Sequence, residues 1–226
     1  MSHQPVLLAL DSATEACSAA LQVGNSVLER HQVCGRGHAA RLLPMAQELL
    51  DEAGLAPGVL QAVTVCRGPG SFTGVRIAIG VAQGIALGAG LPLVPVSTLA
   101  CLAQGAWRRH RAGQVLAALD ARMGEVYWGA FALEDGVMQA REPERVARPD
   151  AVSAPHGGPW FGAGSGWGAH GQALAAACGA KLSATDPGAL PTARDCLEPA
   201  RRALRRGAVV DALALQPVYL RDRVTG

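Results

Sequence analysis

The sequence predicts an α/β protein made of two duplicated halves, and three observations carry that reading. The run Val6-Leu7-Leu8-Ala9-Leu10, ending at Asp11, returns as Val115-Leu116-Ala117-Ala118-Leu119, ending at Asp120, 109 positions further on. Each copy leads through a short turn into a second strand, as an internal repeat would. Short apolar runs then alternate with longer helical patterns, as where Val63–Val65 gives way to Ile77–Leu87. Half of the 226 residues are hydrophobic, 4% are aromatic and 28 are glycine. Such a composition suits tightly packed layers and excludes a disordered chain.

Taken in order, Val6–Leu10 is a continuous apolar run, as befits a strand covered on both faces. Asp11-Ser12-Ala13-Thr14 makes a turn, and Cys17–Val23 and Val27–Val33 read as a hairpin about Gly24-Asn25. Leu42, Leu43, Ala46, Leu49, Leu50 and Ala53 follow helical spacing up to a stop at Gly54. Pro44 inside that pattern predicts a kink unless it falls in the first turn. The strand Val63–Val65 meets a turn at Gly68-Pro69-Gly70, and Ser71 or Thr73 caps the helix that follows. Leu93–Val96 is a strand, and Ser97 or Thr98 caps a helix running to about Trp107. Arg108-Arg109-His110-Arg111 marks an exposed junction.

The second half repeats the plan, with a strand at Glu125–Ala132 and a hairpin turn at Glu134-Asp135-Gly136. Arg141–Pro159 is loose, Trp160–Gly166 is again a strand feeding a glycine turn, and His170–Cys178 and Ala193–Arg206 read as helices. Gln216–Arg221 is an extended tail expected to dock on the first half. The expected division is residues 1–108 with the tail 212–226, and residues 109–211.

A net charge of +2 and a pI near 8.3 are too mild for a surface that binds nucleic acid throughout. Six cysteines are scattered without a CxxC pair, and no basic, apolar leader is visible; a reduced, cytoplasmic protein is expected. The apolar stretch Gly80–Leu93 ends at prolines and is shorter than a membrane span needs.

Two stretches are candidates for function. A glycine turn between a strand and a helix N-terminus is a ready anion site, because free N–H groups and the helix dipole point the same way. Asp11, Ser12, Thr14, Gly70, Ser71 and Thr73, with Asp120 from the second copy, would line such a phosphate or nucleotide turn. The motif is no Walker loop, since no Lys follows Gly74, and it misses GxGxxG by one residue. A plain strand-to-helix connection is the alternative. The second stretch is the helix carrying Gly80, Gly84 and Gly88, one face at four-residue spacing. Each glycine costs about 1 kcal/mol against alanine, so another backbone must come close: the chain's own sheet, or a partner's helix. No metal-binding pair is visible, because His38 has Leu42 at i+4.

The segments LALDSATEACSAAL, GRGHAARLLPM, CRGPGSFTGVRIAIGVAQGIALG, PVSTL, LDARMGEVYW and QPVYLR together resemble the bacterial TsaB family, over Val6 to Arg221. That family serves the synthesis of tRNA threonylcarbamoyladenosine and was once grouped with glycoprotease-like proteins. The resemblance implies the fold of actin, Hsp70 and sugar kinases, two ribonuclease-H-like halves with mixed sheets. It implies a non-catalytic subunit with no cofactor of its own. This subunit would pair with TsaD, whose metal sits on a two-histidine helix, and with the small ATPase TsaE, the source of any ATP and magnesium in the complex. tRNA would be met only through the complex, and the chain alone would form homodimers. The implied pairing surface is built from His38, Leu42, Leu43, Ala46, Leu49 and Leu50 on one helix. Ile77, Gly80, Val81, Gly84, Leu87 and Gly88 supply the other. A nucleotide-dependent phosphotransferase using Asp11 and Asp120 is the alternative reading.

Overall fold

The computed structural model describes residues 5–35 and 37–221. Its two compact units comprise residues 1–101 with 191–218, and residues 102–190 with 219–226. This division differs from the one expected at 108/109 and 211/212. The reason lies in the helix Ala193–Arg205, whose apolar side faces the first sheet and so returns the chain to the first unit. Residues 1–4 and 222–226 of the expected domains lie outside the described part.

In the first unit, β1 (Leu7–Asp11), β2 (Ala16–Val23) and β3 (Ser26–Val33) form an antiparallel meander. Gly24, at φ 58°, makes the hairpin turn between β2 and β3 that the sequence predicts. Helix α1 (His38–Ala53) then crosses to β4 (Ala62–Cys66), which pairs parallel to β1 with Leu8 opposite Val63. Helix α2 (Phe72–Ala89) leads to β5 (Leu93–Val96), parallel to β4. The resulting order is β3-β2-β1-β4-β5. β1 is buried at every residue, as a strand covered on both faces must be. Helices α1 and α2 lie side by side against this sheet. α1 runs through Pro44 as one helix, because Pro44 sits on the solvent side, where the carbonyl it leaves unbonded can meet water.

Helix α3 (Thr98–His110) carries the chain into the second unit. There β6 (Gln114–Arg122), β7 (Glu125–Glu134) and β8 (Val137–Ala140) repeat the antiparallel meander. The short β9 (Arg145–Ala147) pairs with β7 within the stretch read as loose. β10 (Trp160–Ala163) pairs parallel to β6. Helix α4 (Ser165–Cys178) begins five residues earlier than its expected start and is bent at His170, whose φ is −134°. β11 (Leu182–Asp186), mostly exposed and lacking an apolar pattern, completes the order β11-β10-β6-β7-β8. Counted within its own unit, this is the strand order of the first sheet, so the duplication read from Asp11 and Asp120 holds for the whole topology. Each unit has the ribonuclease-H-like plan of the actin, Hsp70 and sugar-kinase fold.

Helix α5 (Ala193–Arg205) packs across β1, β2, β4 and β5. The Ser18 hydroxyl accepts the Ala193 N–H at 2.8 Å. As far as Val218 the tail docks on the first unit as expected, Val218 N–H donating to the Arg67 carbonyl at 2.8 Å, but Arg221 belongs to the second unit and pairs there with Glu125. The cysteines are less scattered than their spacing implies. Cys66 of β4, Cys101 of α3 and Cys196 of α5 meet inside the first unit, all free and fully buried.

Candidate functional site

The glycine turn is filled by the chain itself. Ser71 caps α2 by accepting the Gly74 N–H at 3.2 Å, while its own N–H donates to the Ala13 carbonyl at 2.8 Å. Thr73 falls inside the helix instead of capping it. A Cβ on Gly70 would stand 2.4 Å from the Ala13 carbonyl oxygen, so glycine at this position admits the turn after β1. Ser12 is buried with its hydroxyl on the Gly74 carbonyl, and Thr14 Oγ1 accepts the Ala16 N–H. Asp11 has no exposed surface; its Oδ1 accepts the Ala13 N–H at 3.1 Å. Burial above all, then the neighbouring Cys66, raises its carboxyl well above the usual range. These residues make the strand-to-helix connection that the sequence offers as the alternative to an anion site.

Asp120 stands at the same point of the second unit, half-buried, with Oδ1 accepting the Arg122 N–H at 2.9 Å. Its Oδ2 pairs with Arg122 at 3.1 Å, its N–H donates to Ser165 Oγ, and His170 Nε2 lies 3.8 Å from Oδ1. Asp11 and Asp120 therefore serve the same structural purpose, each closing the turn after its strand.

The pairing surface expected on α1 is corrected by the structure. His38, Leu42, Ala46, Leu49 and Leu50 face the core of the first unit and have no surface to offer a partner. Apolar residues at helical spacing mark the stripe that seals a helix onto its own sheet, and that stripe is the one visible in the sequence. His38 Nε2–H donates to the Thr14 carbonyl at 2.8 Å, tying the start of α1 to the β1–β2 turn. Leu43 belongs to the opposite side, where it is 51% exposed beside the outward Ala39, Ala40 and Pro44.

On α2 the expected surface faces outward. Gly74, Val75, Ala78, Ile79, Ala82 and Ala86 bury one side, while Gly80, Gly84, Leu87 and Gly88 are exposed and Ile77 and Val81 are half-buried. A Cβ added at Gly80, Gly84 or Gly88 meets nothing within 4 Å. The three glycines thus do not admit the chain's own sheet. Gln83 fixes one flank of the helix by donating to the carbonyls of Ala212 and Leu215. At the N-terminus Phe72, 62% exposed, lies under the Arg76 guanidinium at 3.3 Å. Phe72 and the outward residues of α1 are exposed as well but were not in the expected list; their signal was the complement of the apolar stripe.

The apolar stretch is also longer than expected. All 18 residues of α2 have a mean hydropathy of 1.4, enough by length and composition to cross a membrane, yet only 33% of them are buried. One side of an apolar helix is therefore left open by the unit to which it belongs.

Comparison with known proteins gives this surface its context. Residues 24–165 match the family model described as TsaD, tRNA N6-adenosine threonylcarbamoyltransferase. The chain is 45% identical to the tRNA threonylcarbamoyladenosine biosynthesis protein TsaB of Escherichia coli over 96% of this chain and 95% of that one. It is 40% identical to the TsaB of Haemophilus influenzae, over 97% and 94%. The solved structure of YeaZ from Pseudomonas aeruginosa is similar with a TM-score of 0.90 and 47% identity, covering 96% of this chain and all of that one. With nearly full-length coverage at this identity, the chain belongs to the TsaB family and has a role in tRNA threonylcarbamoyladenosine biosynthesis.

Proposed function

We propose that the chain is a non-catalytic subunit that uses the open ridge of α2, with the outward side of α1, to hold a TsaD-like catalytic subunit. One observation carries the reading: Gly80, Gly84 and Gly88 lie in a row with empty space above them. Together they forgo about 3 kcal/mol of helix stability, which a monomer recovers nowhere. A second helix crossing at the glycines would bury Leu43, Ile77, Val81 and Leu87 against its own apolar residues, with backbones closer than side chains normally allow.

The non-catalytic part is supported by α1. Its His38 is committed to the Thr14 carbonyl and Leu42 fills the core, so this helix does not make the histidine pair that the resemblance assigns to the catalytic relative. The match to the threonylcarbamoyltransferase model supports a partner of the same build, whose corresponding helices would meet these. A TsaE-like ATPase then joins the pair and brings ATP and magnesium, and tRNA is reached through the assembled complex. Two copies of the chain pair through the same ridge when the partner is absent.

The test is reconstitution from purified subunits. Threonylcarbamoylation of tRNA should require this chain together with the catalytic subunit, and Leu87→Glu should abolish both co-purification and modification. Modification by this chain alone, or an undiminished complex with Leu87→Glu, overturns the reading.

A further inference from the structure

Away from the α2 ridge, in the core of the first unit, three thiols are packed more closely than neutral sulfur atoms rest. Cys101 Sγ lies 2.7 Å from Cys196 Sγ, Cys66 Sγ lies 3.2 Å from Cys196 Sγ, and Cys66 and Cys101 are 3.4 Å apart. Unbonded carbon atoms settle at about 3.5–4.0 Å, and sulfur is larger than carbon. All three side chains are fully buried, and they come from β4, α3 and α5. Beside Cys66 stands Asp11, also fully buried, whose Oδ2 has no hydrogen-bond partner. A buried carboxyl oxygen left without a partner is costly, and here it flanks a triangle of sulfurs.

We infer that Cys66, Cys101 and Cys196 form a binding site for one thiophilic metal ion of the zinc class, with Asp11 on its Cys66 side. Zinc–thiolate bonds are about 2.3 Å long and tetrahedral, which sets the sulfurs about 3.8 Å apart, so the three thiols spread by about 0.4–1.1 Å as they take up the ion. Three sulfur donors select a soft cation over magnesium or calcium. On binding, each thiol releases one proton to water as its sulfur bonds to the metal, and no electrons move. The site is closed, as structural zinc sites are, so the ion enters while the chain folds. It would staple α5 to the sheet across 130 residues of chain, from Cys66 to Cys196.

The experiment uses the full chain, produced without a metal-affinity tag. Elemental analysis of the purified protein should find one zinc or copper ion per chain. After unfolding, chelation and refolding with cobalt(II), thiolate-to-cobalt charge-transfer absorption should appear and saturate at one equivalent. Cys196→Ala should lose that absorption, whereas Cys178→Ala, which removes a buried thiol of the second unit, should keep it. The wild-type spectrum decides even if Cys196→Ala fails to fold. A chain that is metal-free as purified and spectroscopically silent with cobalt overturns the inference. So does a chain two hydrogens lighter because Cys101 and Cys196 have joined as a disulfide.

Discussion

Ser12 and Gly74 lock the central strand of the first unit to its crossover helix. The Ser12 hydroxyl donates to the Gly74 carbonyl at 2.8 Å, and a Cβ on Gly74 would stand 2.0 Å from the Ser12 carbonyl oxygen. The second unit repeats the device, for a Cβ on Gly164 would stand 2.4 Å from the Ala118 carbonyl oxygen. In both units the glycine turn closes onto the end of the first strand. This close approach explains why the glycines accompany each strand–Asp repeat.

Gly74→Ala should therefore unfold the first unit more easily. Backbone carbonyls cannot swing aside as a side chain tip can, so the helix must shift, at a cost of about 3 kcal/mol. Urea denaturation should show a lowered midpoint for Gly74→Ala. Gly58→Ala, where the added Cβ meets nothing, should leave the midpoint nearly unchanged. Equal midpoints for the two variants would refute the packing argument.

Gly84→Ala should have the opposite effect on the isolated chain. With open space above it and an ordinary helical backbone, the added methyl group should raise stability by about 1 kcal/mol. On the ridge proposed to receive the partner, however, the same methyl group would keep a partner helix at a distance. The variant should melt at a higher temperature yet bind the catalytic subunit at least tenfold more weakly. A rise in both stability and affinity would place the partner elsewhere.

How much of this was legible beforehand differs between the two helices. For α2 the glycine spacing is an exception to helical propensity, and it marks the side of the helix that its own unit leaves open, with empty space above Gly80 and Gly84. For α1 the visible pattern at Leu42, Ala46 and Leu49 is the rule, and the rule reports the core. The fold was readable from the paired strand–Asp turns, because buried strands leave continuous apolar runs. β11 was not, since Ser183, Ala184 and Thr185 are exposed on an edge and carry no alternation. The meeting of Cys66, Cys101 and Cys196 could not be read either. Their separations of 35 and 95 residues follow no metal-ligand spacing, and only the return of α5 to the first sheet unites them.

His38 separates a structural role from a binding one. Its bond to the Thr14 carbonyl is largely shielded from water, so His38→Ala should cost about 1–2 kcal/mol in unfolding free energy. Because the ring is only 7% exposed, affinity for the catalytic subunit should stay within about twofold of wild type under conditions where the variant is folded. Calorimetric titration with that subunit checks this. A large loss of affinity from a folded His38→Ala would return His38 to the interface.

Cys17 should make the first unit sensitive to alkali. Its thiol is pushed from the usual 9.0 up to about 12, by burial first and then by the neighbouring Cys34 and Asp11, against a smaller pull from Arg41. In the unfolded chain the same thiol ionises near 9.0, so above that pH the unfolded state loses a proton that the folded state keeps. The contribution to stability is thus whole below pH 9 and is lost as the pH climbs towards 12. The slope approaches about 1.4 kcal/mol per pH unit for one proton. Cys17→Ala removes this one titration and leaves the buried Cys66 and Cys101 in place, so the comparison is between two curves. At pH 8 the variant should be the less stable, by about 1 kcal/mol for the lost sulfur packing. By pH 10.5 that deficit should have vanished or reversed. Stability curves that stay parallel from pH 8 to 10.5 would show that Cys17 ionises as readily folded as unfolded.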